Sequence, residues 1–168
     1  MRIKLFILHL IILYAGCGYY SVSGSLPAHI KTAAVPLFLN ETTEAGMVEE
    51  VTDEVEKAII ANGNMKIVGE FQADAVVNGS IIDVIEEADV YSKDEVAGQF
   101  KIRIIARVAF FDRVKNRAIW EEESLEGWAQ YDASESSGSE ESVSREEGIN
   151  KAIEMLAKEI IDRTVTGW

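Results

Sequence analysis

The chain has 168 residues, 48% of them hydrophobic, with 29 acidic against 16 basic side chains and a formal charge of -13. That is enough apolar material for one domain with an ordinary core, while the acidity argues against general nucleic-acid binding and against a polybasic mode of membrane attachment. The single cysteine excludes an intramolecular disulfide.

Arg2 and Lys4 precede an apolar run over residues 5–14, broken only by His9, and Ala15 and Gly16 follow. A positive start, a short apolar stretch and small residues make a secretory signal, expected to be removed as residues 1–16. The run is too short to span a bilayer, which takes about 20 residues as a helix. The sole cysteine sits just beyond. Leu13-Tyr14-Ala15-Gly16-Cys17 resembles a bacterial lipobox, with Tyr14 where leucine is usual. Cys17 is therefore expected to carry a thioether-linked diacylglycerol and to become the acylated N-terminus. The competing reading is a plain secretory signal with an incidental cysteine. Two or more acyl chains anchor a protein stably. Gly18 in place of aspartate favours sorting to the outer membrane. Residues 17–29, rich in Gly, Ser and Tyr, read as the lipidated N-terminus and a tether.

A first strand is expected over residues 30–39, with Pro36 at an edge or bulge because it has no N–H to give to a ladder. Residues 47–61 carry Val48, Val51, Val55, Ala58 and Ile59 at spacings of three and four, the stripe of an amphipathic helix. Thr42 or Thr43 can cap it, and Asn62-Gly63 stops it. Short strands follow over 65–68 and 75–85, where Gly79 marks a bulge or a close backbone approach. Residues 86–97 read as a loop or frayed extension.

Residues 100–111 alternate most clearly. Phe100, Ile102, Ile104, Ala106, Val108 and Phe110 point to a core, and Lys101, Arg103, Ile105, Arg107 and Ala109 point away. A turn over 112–117 with Asn116 at positive φ returns the chain as a partner strand over 118–131. Residues 132–144 form an acidic low-complexity loop, expected to be disordered. Ser144 and Glu147 make a capping box for a second amphipathic helix ending near Arg163, with a short tail after it.

The expected fold class is α+β: a two-layer sandwich of a small, mostly antiparallel sheet of four to five strands, with two amphipathic helices on one face. Residues 30–168 form a single α/β domain, and the other sheet face is left for water or a partner.

No catalytic set emerges. His9 lies in the signal and His29 in the tether, Cys17 is spent on acylation, and neither zinc spacing nor a phosphate loop is present. The acidic runs at 121–123 and 140–141 lack the spacing of a calcium loop and read as solvated faces. No enzyme, cofactor or metal is expected. Lys101, Arg103 and Arg107, on one strand face, stand out in so acidic a chain. They read either as an anion or lipopolysaccharide contact or as charges neutralised across the sheet by Glu121 and Glu123.

Several segments in order resemble the LptE family of lipopolysaccharide-assembly outer-membrane lipoproteins. They are Cys17-Gly18-Tyr19, Gly24-Ser25-Leu26-Pro27, His29-Ile30-Lys31-Thr32 running into Val35-Pro36-Leu37-Phe38, Asn40-Glu41-Thr42-Thr43-Glu44, Ala73-Asp74-Ala75-Val76-Val77-Asn78-Gly79-Ser80-Ile81, and Trp120-Glu121-Glu122. The resemblance implies a small sheet with two helices. It implies a heterodimer with the LptD-type outer-membrane β-barrel, inside which the lipoprotein sits as a plug. It also implies a role in placing lipopolysaccharide in the outer leaflet, from a lipid-anchored position on the periplasmic side of the outer membrane of a Gram-negative bacterium. Lipopolysaccharide itself is a candidate ligand, although family members thought to contact it do so through basic residues and this chain is acidic. The alternative resemblance is to periplasmic lipoproteins that regulate another envelope machine, such as a peptidoglycan synthase, or that build the curli-secretion pore.

Overall fold

The computed structural model describes residues 26–44, 46–91, 97–133 and 142–166. The signal, Cys17, most of the tether and the centre of the acidic loop lie outside the described residues.

The elements run β1 (Thr32–Ala34), β2 (Leu39–Asn40), α1 (Met47–Asn62), β3 (Lys66–Ile67), a 3-10 turn at Glu70–Gln72, β4 (Ala75–Tyr91), β5 (Ala97–Asp112), β6 (Arg117–Asp132) and α2 (Arg145–Thr166). They make an α+β architecture on one six-stranded sheet of order β3-β1-β4-β5-β6, with β2 also paired to β4. β4, β5 and β6 are antiparallel, whereas β1, β2 and β3 join in parallel. The sheet is thus mixed, with one strand more than expected.

The single strand expected over residues 30–39 is two, interrupted at Pro36. Proline cannot donate to the ladder, and the chain re-enters the sheet further along β4, where Leu39 pairs with Ser80. β4 runs on to Tyr91, past the end expected at residue 85, because β5 continues to pair with it up to Ala97. Its register shifts fall between Ile81 and Asp83, between Ala88 and Val90 and between Val90 and Tyr91, not at Gly79. Gly79 instead allows a close approach: a Cβ there would lie 2.0 Å from Cε1 of the buried Phe38 ring.

Alternation holds along β5, with Ile102, Ile104, Ala106, Val108 and Phe110 all without exposed surface. α2 covers this face at β6 so closely that a Cβ on Gly127 would stand 2.1 Å from the carbonyl oxygen of Ala152. α1 packs beside α2, burying Val51, Val55 and Ile59 in the same core. Neither threonine caps α1. Its N-cap is Gly46, in the left-handed region at φ 85°, with no side-chain bond to the helix, while Thr42 is taken up in a turn with Asn40. Gly63, at φ 74°, ends α1 as expected, and its N–H bonds to the Ile59 carbonyl. Asn116 turns the β5–β6 hairpin at φ 50°. The capping box is formed: the Glu147 N–H donates to Ser144 Oγ and the Ser144 N–H donates to Glu147 Oε2, both at 3.2 Å. α2 continues to Thr166, because the buried Thr164 hydroxyl bonds back to the Ile160 carbonyl and Val165 packs on the core.

Candidate functional site

The face of β4–β6 turned away from α1 and α2 has neither of the described helices over it. One corner is covered, where Ala34, Ala73 and Val76 form a small second cluster with Val68. Beyond that corner, residue pairing lines up Ile85, Arg103 and Trp128 across three strands, with Asp83, Ile105 and Glu126 in the next row.

All three basic residues of β5 lie on this face, and all three are engaged. Arg103 forms a two-pronged ion pair with Glu126, at 2.6 Å from Nε and 2.7 Å from Nη2. That pairing raises the Arg103 pKa and holds the Glu126 carboxyl below its ordinary value, against a smaller opposing effect of burial. Arg107 bridges Glu123 at 2.7 Å and Glu41 at 3.2 Å. Lys101 places its ammonium 4.4 Å from the Trp128 ring centroid, a cation–π contact. Neutralisation across the sheet therefore exists, but with Glu126 and Glu123. Glu121 lies opposite Ala109, because β6 carries a bulge between its pairings with Ala106 and Val108. One-residue offsets of this kind decide which acid meets which base, and sequence periodicity does not reveal them. Next to Arg107 a shallow groove of about 320 Å³ runs between Leu37, Leu39, Asn78, Ser80 and Ala109, with both leucines more than half exposed.

Two other polar groups went unrecognised in the sequence. His29, expected on a flexible tether, is fastened to the domain by a 2.8 Å bond from Nε2 to the buried Asp112. Asp74 receives the N–H groups of Lys31 and Thr32 and the Thr32 hydroxyl on one oxygen, at 2.8–2.9 Å, and these donors hold its carboxyl below the ordinary range. Both acids sit at strand ends, the one legible signal that they tie the entering chain to the sheet. Among the described residues no three His, Cys, Asp or Glu side chains gather to hold a metal ion. No described helix is long and apolar enough to cross a membrane.

Solved structures share the fold. The PelC dodecamer from Paraburkholderia phytofirmans superposes with a TM-score of 0.54 at 16% identity, covering 86% of this chain and 96% of that one. The hypothetical protein CT253 from Chlamydia trachomatis gives 0.55 at 15% identity, over 80% and 95%. A minor lipoprotein from Acinetobacter baumannii gives 0.51 at 12% identity, over 82% and 92%. No curated protein sequence matches the chain. The family model described as lipopolysaccharide-assembly, LptE, matches residues 30–164, which takes in every strand of the sheet and nearly all of α2. By that match over most of its length, the chain belongs to the LptE family.

Proposed function

We propose that this chain is an outer-membrane lipoprotein, anchored through Cys17 on the periplasmic side, that docks within an LptD-type β-barrel and assists the assembly of lipopolysaccharide into the outer leaflet. The observation that carries this reading is the family match over residues 30–164. The free face of β4–β6 supports it. The two arginines of this face are already paired with carboxylates, so they can be buried against another protein without losing a partner. Its exposed Trp128 and half-buried Ile85 and Ile105 supply apolar area for such a contact. The role is one of binding and positioning, with no catalysis.

Direct contact of lipopolysaccharide phosphates with Arg103 and Arg107 would require Glu126, Glu123 and Glu41 to be displaced, and Lys101 would have to leave the Trp128 ring. Docking to the barrel requires no such exchange.

Mild detergent extraction of the tagged native chain is expected to bring down a large outer-membrane barrel protein at about one-to-one stoichiometry. Recovery of a peptidoglycan synthase in its place would replace this reading with that of a synthase regulator. Cys17→Ser is expected to leave the precursor uncut and without lipid. Normal processing of that variant, judged by intact mass, would remove the anchor from the account.

A further inference from the structure

The cations of this acidic chain are unevenly placed. Lys57, Arg103, Arg107, Arg145 and Arg163 lie in ion pairs, Lys101 rests on the Trp128 ring, and Lys151 and Lys158 stand apart on α2 without an ion pair among the described residues. Lys31, Lys66, Arg113, Lys115 and Arg117 are all exposed and, among the described residues, none of them is in an ion pair. The register places these five at one end of the sheet. Ile67 pairs with Ala33, Ala33 with Ala75, Ala75 with Asp112 and Asp112 with Arg117, so a single row crosses β3, β1, β4, β5 and β6, with Lys66 one residue from it. At about 4.8 Å between strands that row is roughly 20 Å wide. Two of its acids are occupied, Asp74 with Lys31 and Thr32, and Asp112 with His29 and the Lys115 N–H. Glu70 and, in the last turn of α2, Asp162 are exposed carboxylates nearby.

The same end carries two outward apolar side chains, Phe71 at 94% and Val114 at 62% exposed. Their turns are joined, since Arg113 donates its N–H to the Asp74 carbonyl at 2.9 Å and its guanidinium to the Glu70 carbonyl. The chain also enters here. Leu26 and Pro27, the first described residues, line a groove here with Ile30, Lys31, Asn64 and Val165. Eight residues separate Cys17 from Leu26, a reach of about 30 Å when fully extended.

We propose that this end of the domain, with Phe71 and Val114 set among Lys31, Lys66, Arg113, Lys115 and Arg117, is a membrane-contact surface that seats on the anionic phospholipid headgroups of the leaflet holding the lipid anchor. The proposal rests on the Cys17 anchor for the local concentration that brings the surface to the bilayer. A ring of cations around an aromatic side chain suits the headgroup layer, where the charges meet phosphate and the ring reaches the acyl boundary. The net charge of -13 does not oppose this, because screening confines each charge to about 8 Å at physiological salt and the 16 residues of β5 span roughly 50 Å. Acids at the far end are not felt at the membrane, and those on the flanks turn the domain to present its cationic end.

The test places a photo-crosslinking amino acid at Phe71 or at Val114 in the full-length chain, expressed in its own membrane, with Lys57 on α1 as the control position. Illumination is expected to give phospholipid adducts by mass at 71 and 114 and none at 57. Lys115→Glu with Arg117→Glu is expected to lower adduct yield at least about 25-fold, since each cation near an anionic surface is worth roughly fivefold in partitioning. Lys151→Glu on α2 is expected to leave the yield unchanged, which separates local attraction from net charge. Adducts to protein alone, or no lipid adduct while the N-terminal peptide carries its acyl mass, would overturn the contact surface and leave the anchor standing. A bare Cys17 thiol would remove the anchor, and lipid adducts at 71 and 114 would then establish the contact without it.

Discussion

His29 Nε2 lies 2.8 Å from Oδ2 of Asp112, 83 positions further along the chain, and the Asp112 side chain has no exposed surface. Asp112 also accepts the Lys115 N–H at 2.9 Å. One carboxylate thus joins the entering chain, the end of β5 and the hairpin turn. Asp112→Ala is expected to cost about 1–3 kcal/mol in urea unfolding, because it strands these donors at a buried position. His29→Ala should cost less, since the imidazole is partly exposed and leaves the turn bond intact. A loss for Asp112→Ala within about 0.5 kcal/mol would show that the carboxylate holds nothing together.

The pH dependence follows from three depressed acids. Burial works to raise the Asp112 carboxyl, but the N–H groups of Lys115 and Val114 and the His29 bond together prevail and set it below 3.8. Asp74 lies below 3.8 through Lys31 and Thr32, and Glu126 below 4.5 through Arg103. Each binds its proton less readily folded than unfolded. Their stabilisation is therefore complete above the unfolded values and is lost as pH falls through the folded ones. Tm is expected to hold between pH 7 and about 5 and to drop below about 4. Asp74→Asn should flatten that acid limb. An acid limb of unchanged slope in Asp74→Asn would count against the assignment.

Gly79→Ala would set a methyl 2.0 Å from Cε1 of Phe38, a ring only 2% exposed. The expected cost is about 1–3 kcal/mol from overpacking. Phe38→Leu in the same chain should recover part of it, with a coupling of about 0.5–3 kcal/mol in the double-mutant cycle. Strict additivity would mean that the ring is not the obstacle.

The Ser144–Glu147 box starts the helix that covers β6. Ser144→Ala should cost about 1 kcal/mol by removing the acceptor of the Glu147 N–H. Hydrogen exchange should quicken in the first turn of α2 before it does near Leu156.

Trp128 is 39% exposed and holds Lys101 over its ring. Trp128→Ala should lower Tm little, because a surface cation–π contact is worth about 0.5–1 kcal/mol. Recovery of the barrel partner should fall at least tenfold if this side chain is an anchor of the interface. Undiminished recovery would move the docking surface off the β4–β6 face.

Sequence by itself determined the elements that rest on local rules. Alternation along residues 100–111 places Ile102 to Phe110 inward, because a strand has a period of two. The Ser144–Glu147 spacing starts α2, and Gly63 and Asn116 mark positions of positive φ, since these signals act within one turn of chain. Tertiary structure alone decided that Pro36 divides one apparent strand into two, that β1, β2 and β3 join in parallel, and that Gly46 caps α1 in place of a threonine. It also decided that Arg103 meets Glu126, Arg107 meets Glu123, and His29 meets Asp112. These depend on bulges and register between segments tens of residues apart, where a one-residue shift exchanges every partner. Net charge concealed the gathering of five cations at the end where the chain enters, because composition sums charge over the whole molecule and folding distributes it in space.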